Sequence, residues 1–184
     1  MGLFFLAPSL AQAHTGVGPT TGFAHGLTHP VTGLDHICAM VAVGLWAVQR
    51  GGRALWLIPF VFVSVMALGG ALGAAGVALP FVEKGIIASV LILGVLIAAA
   101  VRLPLLVSVF LVGLFALFHG HAHGAEMPDT ASGLAYGLGF ILATVGLHFC
   151  GIGLGLMARQ FNSTNWVRYG GGAIAACGVY LCLA

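Results

Sequence analysis

Residues 131–158 read ASGLAYGLGFILATVGLHFCGIGLGLMA, a run without a single Asp, Glu, Lys or Arg. A bilayer's hydrocarbon core takes about 20 apolar residues as a helix, within a range of about 17–25. This run can cross at a tilt, or begin outside the hydrocarbon layer. Only a helix or a closed barrel can satisfy its own backbone polar groups in lipid. Five further charge-poor stretches lie at 30–49, 54–75, 85–101, 105–119 and 167–184. Pro30 suits the first turn of the earliest, where its missing N–H would be unpaired anyway. The expected fold is an all-α integral membrane protein with six transmembrane helices.

The whole chain agrees with that reading. Hydrophobic residues make up 60% of its 184 positions and charged residues only 5%, against about 25% charged in ordinary soluble domains. So little polar surface excludes a water-soluble enzyme or nucleic-acid binder, and it excludes disorder. The net charge of +2 is too small to call for an anionic partner. Eight His stand among ten charged residues, and that excess demands a reason.

Residues 1–13 form a short apolar run ending in Ala11-Gln12-Ala13, the small-x-small pattern that precedes a signal-peptidase cut. The run lacks a basic n-region, and an uncleaved short anchor is the alternative. Cleavage would leave residues 14–184 as a single six-helix domain with its N-terminus outside the cytoplasm and, after six crossings, its C-terminus there too. The loops after the first, third and fifth helices would then face the cytoplasm. They hold Arg50, Arg53, Arg102, Arg159 and Arg168, leaving only Lys84 of the six basic residues outside. This is the positive-inside bias, and it agrees with the orientation that cleavage would set.

Seven of the eight His fall at the predicted outer face. One group runs His25-Gly26-Leu27-Thr28-His29-Pro30 and continues to Asp35-His36; the other is His119-Gly120-His121-Ala122-His123-Gly124-Ala125-Glu126. With a helix starting at Pro30, Asp35 and His36 would lie about 8–9 Å below its start. His29, His36 and Met40 would then share one stripe. A carboxylate inside a span costs about 2.5–3.5 kcal/mol at the bilayer centre and less near the interface, so Asp35 needs a cation or a hydrated cavity. Imidazole and carboxylate together suit Zn, Ni, Cu or Fe. A cleaved N-terminal His14 would add an amine and a ring nitrogen, and His148 offers a deep way-station in the fifth helix.

Each residue also has a structural alternative. Asp35-His36 can pin a helix N-terminus, His25 and His29 can be interfacial loop residues, and Met40 can be packing. His121 can belong to a weak metal-scavenging or pH-sensing loop. The four Cys form no C-x-x-C and lie in apolar runs, so neither a disulfide framework nor a zinc knuckle is indicated. Gly69 with Gly73, Gly133 with Gly137, and Gly151 with Gly155 have the spacing of close helix contacts. No G-x-x-x-x-G-K-[ST] or H-E-x-x-H is present, so neither an ATP motor nor a zinc protease is expected.

The stretch His29-Pro30-Val31-Thr32-Gly33-Leu34-Asp35-His36 resembles the H-x5-D-H signature of the HupE/UreJ family. The stretch from Phe118 to Pro128 is similar to that family's F-H-G-x-A-H-G-x-E-x-P signature at every fixed position. The resemblance implies an inner-membrane nickel permease, with some members linked to cobalt, that serves hydrogenase or urease assembly proteins. It implies functional roles for His29, Asp35, His36, His119, His123 and Glu126, with His121 at a variable position. The expected activity is import of Ni2+, with Co2+ or Zn2+ as alternatives, and no resident cofactor. A membrane metal chaperone or sensor that hands ions to a partner is the rival expectation.

Overall fold

The first predicted span, 30–49, is α-helical from Leu34 onward, and a separate short helix and a 3-10 turn precede that helix. A computed structural model describes residues 22–127 and 132–184. In it α1 (Gly22–Thr28) and a 3-10 turn (His29–Val31) precede α2 (Leu34–Arg50), bent by 78° from it. Pro30 sits in the 3-10 turn, and Gly33 is extended at φ −90°, ψ 123° before the helix restarts. A Cβ at Gly33 would collide with the Asp35 carboxylate, so glycine is what lets that side chain fold back. Asp35 and His36 therefore occupy the first turn of α2 rather than lying below a helix begun at Pro30. The straight His29–His36–Met40 stripe does not form. The proposed signal peptide and His14 lie outside the described residues.

The rest of the chain forms α3 (Ala54–Ala74), α4 (Val82–Ala98), α5 (Leu105–Ala125), α6 (Gly133–Gln160) and α7 (Thr164–Leu183). No strand occurs among the described residues. Three helices, α3, α5 and α6, are long and apolar enough to cross a membrane, or four if the bent α1–α2 pair is one span. The sequence expectation was six. At 17 residues α4 is short, and α7 opens with Asn165 and Arg168. Leu106 is 83% exposed and Phe110 73%. Large apolar side chains turned outward on this scale require a partner surface or lipid.

The centre of the bundle is α2. Ala39, Met40, Ala42, Val43, Trp46 and Ala47 have no exposed surface, as expected of a helix covered on every side. Met40 belongs to this hydrophobic core. Helix α2 packs against α3, α4, α6 and α7, while α3 pairs with α5 and α4 with α7.

Glycine sets the closest approaches. Gly69 and Gly73 of α3 lie against the α5 backbone at Leu117 and His121, and Gly120 and Gly124 of α5 reciprocate at Met66 and Gly70. Gly151 and Gly155 of α6 lie against Val41, Gly44 and Val48 of α2. The remaining predicted pair does not pack this way: Gly137 has open space, and Gly133 meets only the Met127 thioether. Helix α1 instead docks on α6 through Gly26 and Gly139, a match between two helices that spacing within one helix does not reveal.

The alternating direction of the helices sorts the charge. Asp35, Glu83 and Glu126 fall at one end with the histidine groups, whereas Arg50, Arg102, Arg159 and Arg168 fall at the other.

Candidate metal centre

The start of α2 and the last two turns of α5 meet at the acidic end. In α5, His119 and His123 are four residues apart and share a face. That face meets His36 in the first turn of α2. His36 Nδ1 stands 3.2 Å from His119 Nδ1 and 3.0 Å from His123 Nε2. His36 and His119 are buried, and Phe62 and Phe140 flank them with ring centroids 5.9 and 5.2 Å away respectively. Three imidazole nitrogens thus converge in an apolar, aromatic-walled space.

The tautomer of His119 follows from Ser89 of α4. The Ser89 hydroxyl donates to the Ile86 carbonyl at 2.6 Å, which uses its one proton. Its oxygen must therefore accept from His119 Nε2–H, 2.9 Å away. In the neutral ring the Nδ1 lone pair then points at His36. A hydrogen bond to the far nitrogen of a ligating imidazole fixes the ring's orientation and basicity. Ser89 was missed in the sequence. It is the only hydroxyl within the 85–101 stretch, and that isolation was the available signal.

A second group lies farther out. His29 Nε2–H donates to Glu126 Oε2 at 3.2 Å, and His123 Nδ1 lies 3.7 Å from the same oxygen. His29 and His123 are largely covered, whereas the Glu126 side chain is 43% exposed. Both triads, His36–His119–His123 and His29–His123–Glu126, bring their donor atoms within 4.8 Å of one another. His123 belongs to both. Its Nε2 faces the inner triad and its Nδ1 faces the outer carboxylate.

The other predicted residues are placed differently. Asp35 lies in neither triad; its Oδ1 accepts the His36 backbone N–H at 2.7 Å. The carboxylate thereby satisfies a first-turn donor of α2 and favours that helix end electrostatically. His25 stacks on His29, with ring centroids 5.6 Å apart. His121 turns away and donates through Nε2 to the Val77 carbonyl at 2.6 Å. His148 is buried in α6, edge-on to Phe62 at 5.2 Å, with neither ring nitrogen hydrogen-bonded. Phe62 therefore contacts both His119 and His148. Met66, one helical turn beyond Phe62, accepts from the Thr144 hydroxyl at 3.6 Å.

A cavity of about 390 Å³ between α3, α5 and α6 borders His123 and is lined also by Met66, Gly70, Met127, Tyr136 and Phe140. Glu83, at the start of α4, adds to the negative character of this end.

Among the described residues these features define an all-helical, membrane-type protein with a cluster of histidines and a carboxylate at one end whose donor atoms lie close enough to hold a metal ion. Residues 3–181 match the family described as HupE / UreJ protein, and the chain belongs to that family. It is 49% identical over 176 residues to Protein HupE of Rhizobium leguminosarum bv. viciae, covering 95% of this chain and 91% of that protein. No solved structure matches it.

One consequence of the Ser89 geometry is measurable. Ser89→Ala leaves the buried His119 Nε2–H without its acceptor and frees the ring to change tautomer. Nickel affinity, read by calorimetry on the purified protein, is expected to fall about 10–100-fold, with Ser89→Thr retaining most of it. Equal affinity in Ser89→Ala and the parent would mean that Ser89 does not orient the ligand.

Proposed function

We propose that this protein is a secondary importer of a divalent transition metal, with nickel the preferred ion, across the bacterial inner membrane. The observation that carries the reading is the sharing of His123 between two triads. The outer triad, with its exposed carboxylate, captures the hydrated ion and replaces part of its water. The inner triad then takes it on three neutral nitrogens, and His123 hands it over by a change of tautomer, its ring losing the proton from Nε2 and gaining one at Nδ1 so that the ligating nitrogen changes from Nδ1 to Nε2. Asp35 contributes by holding the first turn of α2, and with it His36, in place. His148, across Phe62 from His119, is the next nitrogen along the bundle, and Met66 and Thr144 border that route.

In this reading six helices cross the bilayer, α1–α2 forming the first crossing and α4 and α7 supplying the third and sixth. Residues 1–13 are a cleaved signal, and the histidine end faces the periplasm. The arginine-rich end then obeys the positive-inside bias. The driving force is the ion gradient with the membrane potential, which contributes about 4.6 kcal/mol per 100 mV for a doubly charged ion, twice the single-charge figure. Nitrogen-dominated ligation suits Ni(II), and the same donors also accept Co(II) and Zn(II). Hydrogenase or urease assembly proteins are the proposed recipients.

The test is uptake into sealed proteoliposomes with nickel, cobalt and zinc in competition. Nickel is expected to accumulate and to outcompete the others. His36→Ala is expected to abolish uptake while the protein still inserts and melts normally. Saturable nickel binding without flux would instead identify a membrane metal chaperone, and undiminished flux in His36→Ala would overturn the site.

A further inference from the structure

At the end of the bundle opposite the histidines, α2, the α4–α5 connection, α6 and α7 enclose a cavity of about 500 Å³. Gln49, Arg50, Arg102, Arg159, Asn165 and Arg168 line it. Four guanidinium groups therefore face one concavity. Among the described residues none of them pairs with a carboxylate, since both ion pairs found involve Glu126 at the far end. The acids among the described residues, Asp35, Glu83 and Glu126, all lie at the histidine end. Among the described residues the fold thus supplies no carboxylate to its own arginines.

Two of the polar side chains are partly occupied in holding the cavity open. Arg168 Nε donates to the Ala98 carbonyl at 2.9 Å, and Gln49 Nε2 donates to the Ile97 carbonyl at 3.0 Å, together capping the C-terminus of α4. That arrangement fixes both side chains from below. Arg50 Nε, by contrast, is buried with no hydrogen-bond partner. A buried charged donor left unpaired is costly, and a bound anion would relieve it. Trp166 and Tyr169 stand beside Arg168 on α7, exposed and edge-to-face at 6.1 Å. Aromatic side chains of this kind settle at the headgroup level of a bilayer.

We propose that this cavity is a phosphate-anion site, its arginines clamping the phosphate of an anionic phospholipid headgroup or of a soluble phosphate. Planar guanidinium forks bind phosphate oxygens in pairs. Basic pockets between transmembrane helices hold anionic headgroups by the same chemistry. This site is separate from the metal-ligand cluster and does not depend on which ion is carried.

The experiment uses the full-length protein and the double variant Arg102→Gln/Arg159→Gln. Arg53→Gln serves as the control, because Arg53 is exposed and does not line the cavity. Variants must match the parent's melting temperature in phosphatidylcholine nanodiscs, which removes misfolding as an explanation. In one arm, native mass spectrometry reads lipid retained from nanodiscs of phosphatidylglycerol and phosphatidylcholine. In the other, inorganic phosphate is titrated against the detergent-solubilised protein and its melting temperature followed.

Preferential retention of phosphatidylglycerol, reduced about tenfold or more in the double variant and unchanged in Arg53→Gln, supports the site with a lipid as the source. A phosphate-dependent rise in melting temperature, lost in the double variant, supports it with free phosphate as the source. Equal behaviour of parent and double variant in both arms would overturn it. So would an equal loss in Arg53→Gln, which would reduce the effect to net charge.

Discussion

His123→Ala is expected to stop nickel uptake, with a loss of at least about a hundredfold, whereas Glu126→Gln slows it by about tenfold. The difference follows from where each donor atom lies. Glu126 serves the outer triad alone, and glutamine keeps an oxygen there while losing the charge. His123 serves both triads, through Nδ1 at 3.7 Å from Glu126 Oε2 and Nε2 at 3.0 Å from His36 Nδ1. Its removal leaves two donors at each station and no group that touches both. Loss of a group that only hydrogen-bonds to a ligand typically costs about 10–100-fold in metal affinity, so loss of a shared ligand should reach or exceed the upper figure. Initial uptake rates in proteoliposomes, together with bound nickel per protein, distinguish the cases. Equal losses in the two variants would confine His123 to the outer station and remove the hand-off.

The second large effect is structural. Gly120→Ala is expected to destabilise the protein by about 1–3 kcal/mol, while Gly137→Ala is expected to be neutral or stabilising by up to about 1 kcal/mol. Both substitutions gain the same helix propensity, so the difference between them isolates the contact. A Cβ at Gly120 would fall on the Met66 carbonyl and the Gly70 nitrogen of α3, whereas one at Gly137 would meet nothing. The backbones of α3 and α5 must separate to admit the methyl group. Because Gly120 follows His119, that separation also shifts the inner triad, so Gly120→Ala should lose nickel affinity along with stability. Melting temperatures in one detergent decide it; equal melting of the two variants would mean that the α3–α5 approach is not glycine-limited.

The two glycines also show how far sequence spacing reaches. Gly133 and Gly137 have the same separation as Gly69 and Gly73, yet only the latter pair lies against another helix. Spacing places two small residues on one face of a helix. Whether another backbone lies opposite is decided elsewhere in the chain. Gly120 and Gly124 read first as part of the histidine motif, and their packing role appears only once α3 is in place. Ser89 was legible as an isolated hydroxyl in an apolar run, but its role required knowing that Ile86 takes its proton and His119 lies beside it.

By itself the sequence carried the apolar character of the helices, the charge asymmetry of their ends and, through two motifs that resemble a family signature, a candidate set of His29, Asp35, His36, His119, His123 and Glu126. The fold brings all of these but Asp35 into two triads. The apolar character and the charge asymmetry follow from local composition, because insertion energies are summed residue by residue; the candidate set is what the motif resemblance implies. Tertiary structure decided the break at Gly33, which places Asp35 on the His36 backbone rather than in either triad. It turned His121 away to Val77, and it let one imidazole serve two stations. These depend on distances between atoms far apart in the chain, such as the 87 positions between His36 and His123, and helical periodicity carries no information across that separation.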